Sequence, residues 1–172
     1  MKSYVIAIPD HQESQLAANK CIQSSNDLQN NFTINKFTAI TPPDVDRLLK
    51  EFQIKWNYPW EGKVTDFSTG LTKSAYSTNN PKARIACALS HYQLWKNCYQ
   101  DDIPYLILEH DAIFISKLNY ENPIKSHKLI ISINNPRFAT RRAVDYLNTI
   151  KSSAPDKGGV VFAPTIDNPN IP

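Results

Sequence analysis

Pro104-Tyr105-Leu106-Ile107-Leu108-Glu109-His110-Asp111-Ala112-Ile113-Phe114 is the stretch on which the fold turns. Residues 105–108 form an apolar run behind a proline and give way to two carboxylates flanking an imidazole. A short apolar run bounded by breakers reads as a strand buried on both faces, the kind found in parallel sheets. Ligands of open parallel sheets bind outside the carboxyl ends of the strands, where Glu109 and Asp111 fall. With one residue between them, the two carboxylates point to the same side of an extended chain. There they repel each other unless a cation lies between them. Hard oxygen ligands favour Mg2+ or Mn2+, which complete their shells with water and substrate phosphates. The plainer alternative is a pair of solvated carboxylates in a loop after a core strand. His110 points the other way in an extended chain and is open to three roles: ligand, pyrophosphate contact or exposed loop residue.

Immediately upstream, residues 82–99 read as a helix. Ile85, Leu89, Tyr92, Trp95 and Tyr99 make one stripe, and Ala86, Cys87, Ala88, Leu94 and Cys98 widen it nearly all the way round. A helix apolar on most faces is expected to be buried against the sheet. Ser90 and His91 lie inside it and need hydrogen-bond partners, for which loop backbone groups are the first expectation. Further back, residues 3–8 read as a first buried strand ended by Pro9-Asp10. Asp10 suits an N-cap with Glu13 completing a capping box, opening a helix to about Ser24 with Leu16, Ala17, Lys20 and Cys21 on one side. Residues 24–27 and 29–31 read as loop. Residues 32–40 alternate as a second strand, which completes a right-handed βαβ unit whose gathered strand ends can hold a nucleotide.

Thr41-Pro42-Pro43-Asp44 then starts a helix, with proline in the first turn and an acid near the positive end of the dipole. Val45, Leu48, Leu49 and Phe52 follow at i, i+3, i+4 and i+7. Residues 54–82 read as a long loop carrying Trp56, Tyr58, Trp60, Phe67 and Tyr76. These aromatics either pack the loop on the core or stack on a base or sugar ring. Downstream, residues 128–133 read as a strand, 139–151 as a helix, 160–163 as a short strand and 164–172 as an irregular tail. Arg137, Arg141 and Arg142 are either phosphate contacts or ordinary surface arginines. The whole predicts one α/β domain over 1–172, a mostly parallel sheet flanked by helices.

A hydrophobic share of 41% and a charged share of 20% over 172 residues suit one soluble globular domain. The net charge of +3 comes without a dense Lys/Arg block, which argues against a nucleic-acid partner. Cys21, Cys87 and Cys98 form no CxxC pair and no zinc-ligand spacing, and their odd number suggests reduced thiols in the cytoplasm. With four glycines, neither GxGxxG nor a Walker A loop can be written. The apolar run at the N-terminus is too short for a signal peptide, and no transmembrane segment is expected.

Ala86-Cys87-Ala88-Leu89-Ser90-His91-Tyr92-Gln93-Leu94-Trp95, followed by Leu106-Ile107-Leu108-Glu109-His110-Asp111-Ala112, resembles glycosyltransferase family 25. That family includes lipooligosaccharide and collagen galactosyltransferases. Its members show a GCxLSHxxxW helix and then a strand ending in LEDDA. Tyr4-Val5-Ile6-Ala7-Ile8 and Phe37-Thr38-Ala39-Ile40 stand where the family has its first strand and its F-x-A-I/V strand. The resemblance covers roughly residues 3–115.

The resemblance implies a GT-A-like, Rossmann-like fold and a nucleotide-sugar donor, often UDP-galactose or UDP-glucose. It also implies a saccharide or glycoconjugate acceptor, inverting transfer and a divalent metal. Glu109 and Asp111 match the acidic motif and would hold Mn2+ or Mg2+ on the donor diphosphate. Ser90 and His91 match the family's Ser-His pair near the donor. His110 replaces the middle acid of the motif, which alters the expected metal preference. Ile8, Pro9, Asp10 and His11 stand where the family runs into an N-L-D-R segment beside the nucleotide, and Ala86 replaces the leading glycine. A metal on carboxylates would stabilise the departing diphosphate, and an inverting displacement also needs a general base, which these residues do not name. Members usually continue well beyond the acidic motif, so this chain is expected to lack an acceptor-side part. A binding domain without catalysis, left from such an enzyme, is the alternative function.

Overall fold

The computed structural model describes residues 1–118, except for 68, 69, 76 and 77. The strands expected at 128–133 and 160–163, the helix at 139–151, the tail, the three arginines and Tyr76 lie outside the described residues.

Strand β1 (Lys2–Ala7), helix α1 (Gln12–Asp27) and strand β2 (Ile34–Thr38) make the expected βαβ unit, with β1 and β2 parallel. A 3-10 turn, Pro42–Asp44, leads into α2 (Val45–Glu51). A hairpin follows, β3 (Lys63–Asp66) and β4 (Leu71–Ser74), then α3 (Pro81–Asp101) and β5 (Tyr105–Glu109). Strand β5 joins the free edge of β1, so the sheet runs β2-β1-β5 with every pair parallel. This is the α/β class that the sequence predicts. Among the described residues no helix is long and apolar enough to cross a membrane.

Register decides what each face carries. Ile6 is opposite Phe37 on one side and Glu109 on the other. Residues paired across a ladder share a face, and neighbours along a strand alternate. Tyr4, Ile6, Phe37, Tyr105 and Ile107 therefore form one face, where they pack with the fully buried Leu94 of α3. Glu109 ends the same row and is delivered to α3. Ser3, Val5, Leu106 and Leu108 form the other row and are buried too. Helix α1 packs on β1 through Ser14, Ala18, Cys21 and Ser25. Those small side chains let the helix axis approach the strand closely.

Helix α2 carries its stripe as predicted. Val45 and Leu48 are buried, and they meet Ile85, Ala86 and Leu89 of α3 in a second core cluster. Other expectations need correction. The N-cap of α1 is His11, not Asp10, because the His11 ring accepts the Ser14 N–H (3.2 Å). The helix runs on to Asp27 through serines read as loop, and Leu16 is 52% exposed. Helix α3 buries one face only: Trp95 is 51% and Tyr99 87% exposed. Strand β5 is an edge strand among the described residues, and Tyr105 and Ile107 are only half-buried.

The segment taken as a long loop contains the β3–β4 hairpin. Its indoles serve the core. Trp56 and Trp60 stack at 5.9 Å and 14° and pack against the cluster around Val45 and Leu89. Phe67 is 94% exposed.

Candidate functional site

Asn80 sets the start of α3: its side chain accepts the Ala83 N–H (3.0 Å), and Pro81 follows in the first turn. Along this helix Cys87 and His91 are spaced i, i+4 and so lie one above the other on one face. The β1–β5 register brings Glu109, the last residue of β5, against that face. His91 Nε2 and Glu109 Oε1 are 2.6 Å apart, and the Cys87 thiol donates to the same oxygen at 3.9 Å. The ligand atoms of all three lie within 4.8 Å of one another. Cys87 and Glu109 are exposed and His91 is partly covered. Trp95, one turn on, tilts against the His91 ring at 6.2 Å.

The Cys87 sulfur and the Glu109 carboxylate favour the imidazolium over the opposing effect of burial, raising His91 to about 9. Hydrogen bonding to His91 holds Glu109 below the usual carboxylate range. The linkage has a definite sign. A raised histidine stabilises fully below its ordinary 6.5 and loses that contribution as pH rises through about 9. A lowered carboxylate stabilises above its ordinary 4.5 and loses that contribution as pH falls through its folded value. Melting temperature should therefore decline between neutral pH and about 9, and His91→Gln should flatten that decline. The ring-proton NMR titration of His91 checks the cause; a midpoint at the ordinary value would overturn it.

Ser90 is fully buried. Its hydroxyl accepts the Ile40 N–H (2.9 Å) and donates to the Ala86 carbonyl (2.9 Å), which fastens the chain leaving β2 to α3. The geometry therefore gives this side chain to loop and helix backbone, as burial alone predicts, one residue before His91. Ser90→Ala should cost about 1–3 kcal/mol, because the part-buried Ile40 N–H loses its partner. The urea midpoint measures this, and an unchanged midpoint would refute it.

The turn after β1 is tied to α1. The Ile8 N–H donates to Ser14 Oγ (2.9 Å) and the Ile8 carbonyl accepts from Gln15 Nε2 (2.9 Å). Both main-chain groups of Ile8 are thus used within the fold. Pro9 is half-buried, and Asp10 is exposed with φ 55, a left-handed conformation that aspartate tolerates. Ile8, Pro9 and Asp10 lie at the carboxyl end of β1, the sheet end shared with Glu109. Among the described residues no hydrogen bond links them to the Cys87–His91–Glu109 cluster.

After Glu109 the chain turns, closed by the Ala112 N–H donating to the Glu109 carbonyl (3.1 Å). The same-side argument for Glu109 and Asp111 requires an extended backbone, and that ends at Glu109. Asp111 is exposed and is not a member of the cluster. Its charge is felt instead at Cys21 of α1, whose thiol is pushed up to about 11 by burial first and Asp111 second. His110 is half-buried in the turn.

The cluster offers one thiol, one imidazole and one carboxylate. Mg2+ demands a nearly all-oxygen octahedron and fits this set least; ions that accept nitrogen and sulfur fit it better. Cys87 is the member that sequence reasoning missed. The available signal was its Cys-x3-His spacing on a helix that packs against an acidic strand end.

Comparison with known proteins gives one family. The family model described as glycosyltransferase family 25 (LPS biosynthesis protein) matches residues 1–151, well past the 3–115 over which the motifs resemble it. No curated protein and no solved structure matches the chain.

Proposed function

This chain belongs to glycosyltransferase family 25, and we propose that it transfers a hexose from a UDP-sugar to a saccharide or glycoconjugate acceptor, with inversion and with a divalent metal. Membership makes it a glycosyltransferase with a sugar donor and an acceptor; the UDP, the inversion and the metal are the proposed part. The observation that supports the reading best is the Glu109–His91 pair, set at the carboxyl end of a parallel strand where ligands of such sheets bind.

Glu109 suits an anchor for the cation. Its side chain is 47% exposed, and only Oε1 is engaged by His91. Asp111, in the adjoining turn, is the second carboxylate of the proposal, with the half-buried His110 between them in sequence. When bound, Mn2+ or Mg2+ would offset the charge that builds on the departing diphosphate. The chain's own part is to orient Glu109 through His91, whose positive charge near neutral pH, while no metal is bound to the imidazole, also attracts the anionic donor. Ser90 holds the helix at that point, and the Ile8–Pro9–Asp10 turn offers a neighbouring surface for the nucleotide. The free thiols of Cys21, Cys87 and Cys98 support a cytoplasmic location.

UDP and Mn2+ should each raise the melting temperature, and together more than separately. At a hundredfold excess over its dissociation constant, a ligand stabilises by about 2.7 kcal/mol. UDP release from a UDP-hexose in the presence of a saccharide acceptor then separates transfer from binding alone. Absence of both stabilisation and release would refute the proposal.

A further inference from the structure

We infer that Cys87, His91 and Glu109 form a three-ligand site for a thiophilic divalent ion, with Zn2+ as the fitting occupant. The proposal goes beyond a cation resting on oxygen ligands at the donor site, since it assigns a sulfur and a nitrogen as ligands.

An ion pair needs only His91 and Glu109. Here a thiol from the preceding helical turn is directed at the same carboxylate oxygen that the imidazole engages. Tetrahedral Zn2+ with ordinary Zn–S, Zn–N and Zn–O bonds sets sulfur about 3.6 Å from nitrogen or oxygen, and nitrogen about 3.3 Å from oxygen. The His91–Glu109 contact of 2.6 Å would have to open by about 0.7 Å, and the Cys87–Glu109 contact of 3.9 Å to close by about 0.3 Å. Both shifts are small beside the 4.8 Å within which the three ligand atoms already lie.

Regular elements carry all three ligands. Cys87 and His91 share one helix, and Glu109 is held by the pairing of β5 with the central strand. Exposure of Cys87 and Glu109 leaves an entry path. Three protein ligands leave a fourth position for water or another ligand, the arrangement of open zinc sites. On binding, the Cys87 thiol proton and any proton on His91 Nε2 pass to solvent, so that thiolate sulfur and neutral nitrogen face the metal. The remaining thiols differ: Cys21 is buried, and Cys98 donates to the Ile103 carbonyl at 3.2 Å.

Titration of the full chain with Co2+ alone tests the site. The expected spectrum has thiolate-to-metal charge-transfer absorption in the near ultraviolet and the intense visible bands of a four-coordinate ion, both bleached by Zn2+. Cys87→Ser should abolish the charge-transfer band, Glu109→Gln should weaken Co2+ binding tenfold or more, and Cys98→Ser should leave the spectrum unchanged. As a check that needs no variant, Zn2+ should protect Cys87 of the unaltered chain from alkylation, read by peptide mass. Absence of the charge-transfer band, its survival in Cys87→Ser, or unprotected alkylation of Cys87 overturns the inference. No nucleotide or sugar is present in either measurement. A failure here leaves UDP binding and release to be judged separately, and a failure of sugar transfer leaves the metal site standing.

Discussion

Glu109→Gln should slow UDP release from a UDP-hexose on the order of a hundredfold or more, the usual cost of removing a group that stabilises developing charge. The substitution keeps the shape of the side chain and removes its charge. Glu109 is about half exposed at the end of β5, so the fold should persist. Two effects should coincide. The anchor for the cation weakens, and His91 loses one of the two partners that raise its pKa to about 9. Steady-state rates at saturating Mn2+, with circular dichroism to confirm folding, measure the loss. A rate within a few-fold of the unaltered chain would remove Glu109 from the site. Asp111→Asn is the informative companion. An equal loss would mean that the two carboxylates act on one ion across the turn; a small loss would leave Glu109 as the sole acidic anchor.

Leu94→Ala should destabilise the fold by about 2–5 kcal/mol, the range for emptying a leucine-sized space in a packed core. Leu94 has no exposed surface and meets Ile6 and Ala39, with Tyr4, Phe37 and Ile107 around them. It is the contact through which α3 holds the sheet face that presents Glu109. Tyr99→Ala on the same helix should shift stability by less than about 0.5 kcal/mol, because Tyr99 is 87% exposed and the change removes little burial. Urea midpoints of the two variants test the one-faced burial of α3 directly. Similar losses in both would contradict it.

Much of the fold is legible in the sequence because its signals are local. The strand at 105–108, the βαβ unit and the stripe of Val45, Leu48, Leu49 and Phe52 each follow from periodicity within one element. The same local reading misjudged α3. Cys87, Ala88, Trp95 and Tyr99 make it look apolar all round, yet hydrophobic composition does not say which face meets the sheet. It also passed over the β3–β4 hairpin, whose four-residue strands are too short to show an alternation among polar neighbours.

Read alone, the amino-acid sequence determined the class of the fold, the order of the helices and parallel strands up to Glu109 and the acid-bearing strand end with its family. Tertiary structure decided which side chains meet there. The pairing of Ile6 with Glu109 turns that carboxylate toward α3, and the turn closed at Ala112 separates Asp111 from the same row. The spacing of Cys87 and His91 becomes a cluster only when β5 arrives beside it. Register and turn geometry join residues far apart in the chain, and no local pattern encodes that distance.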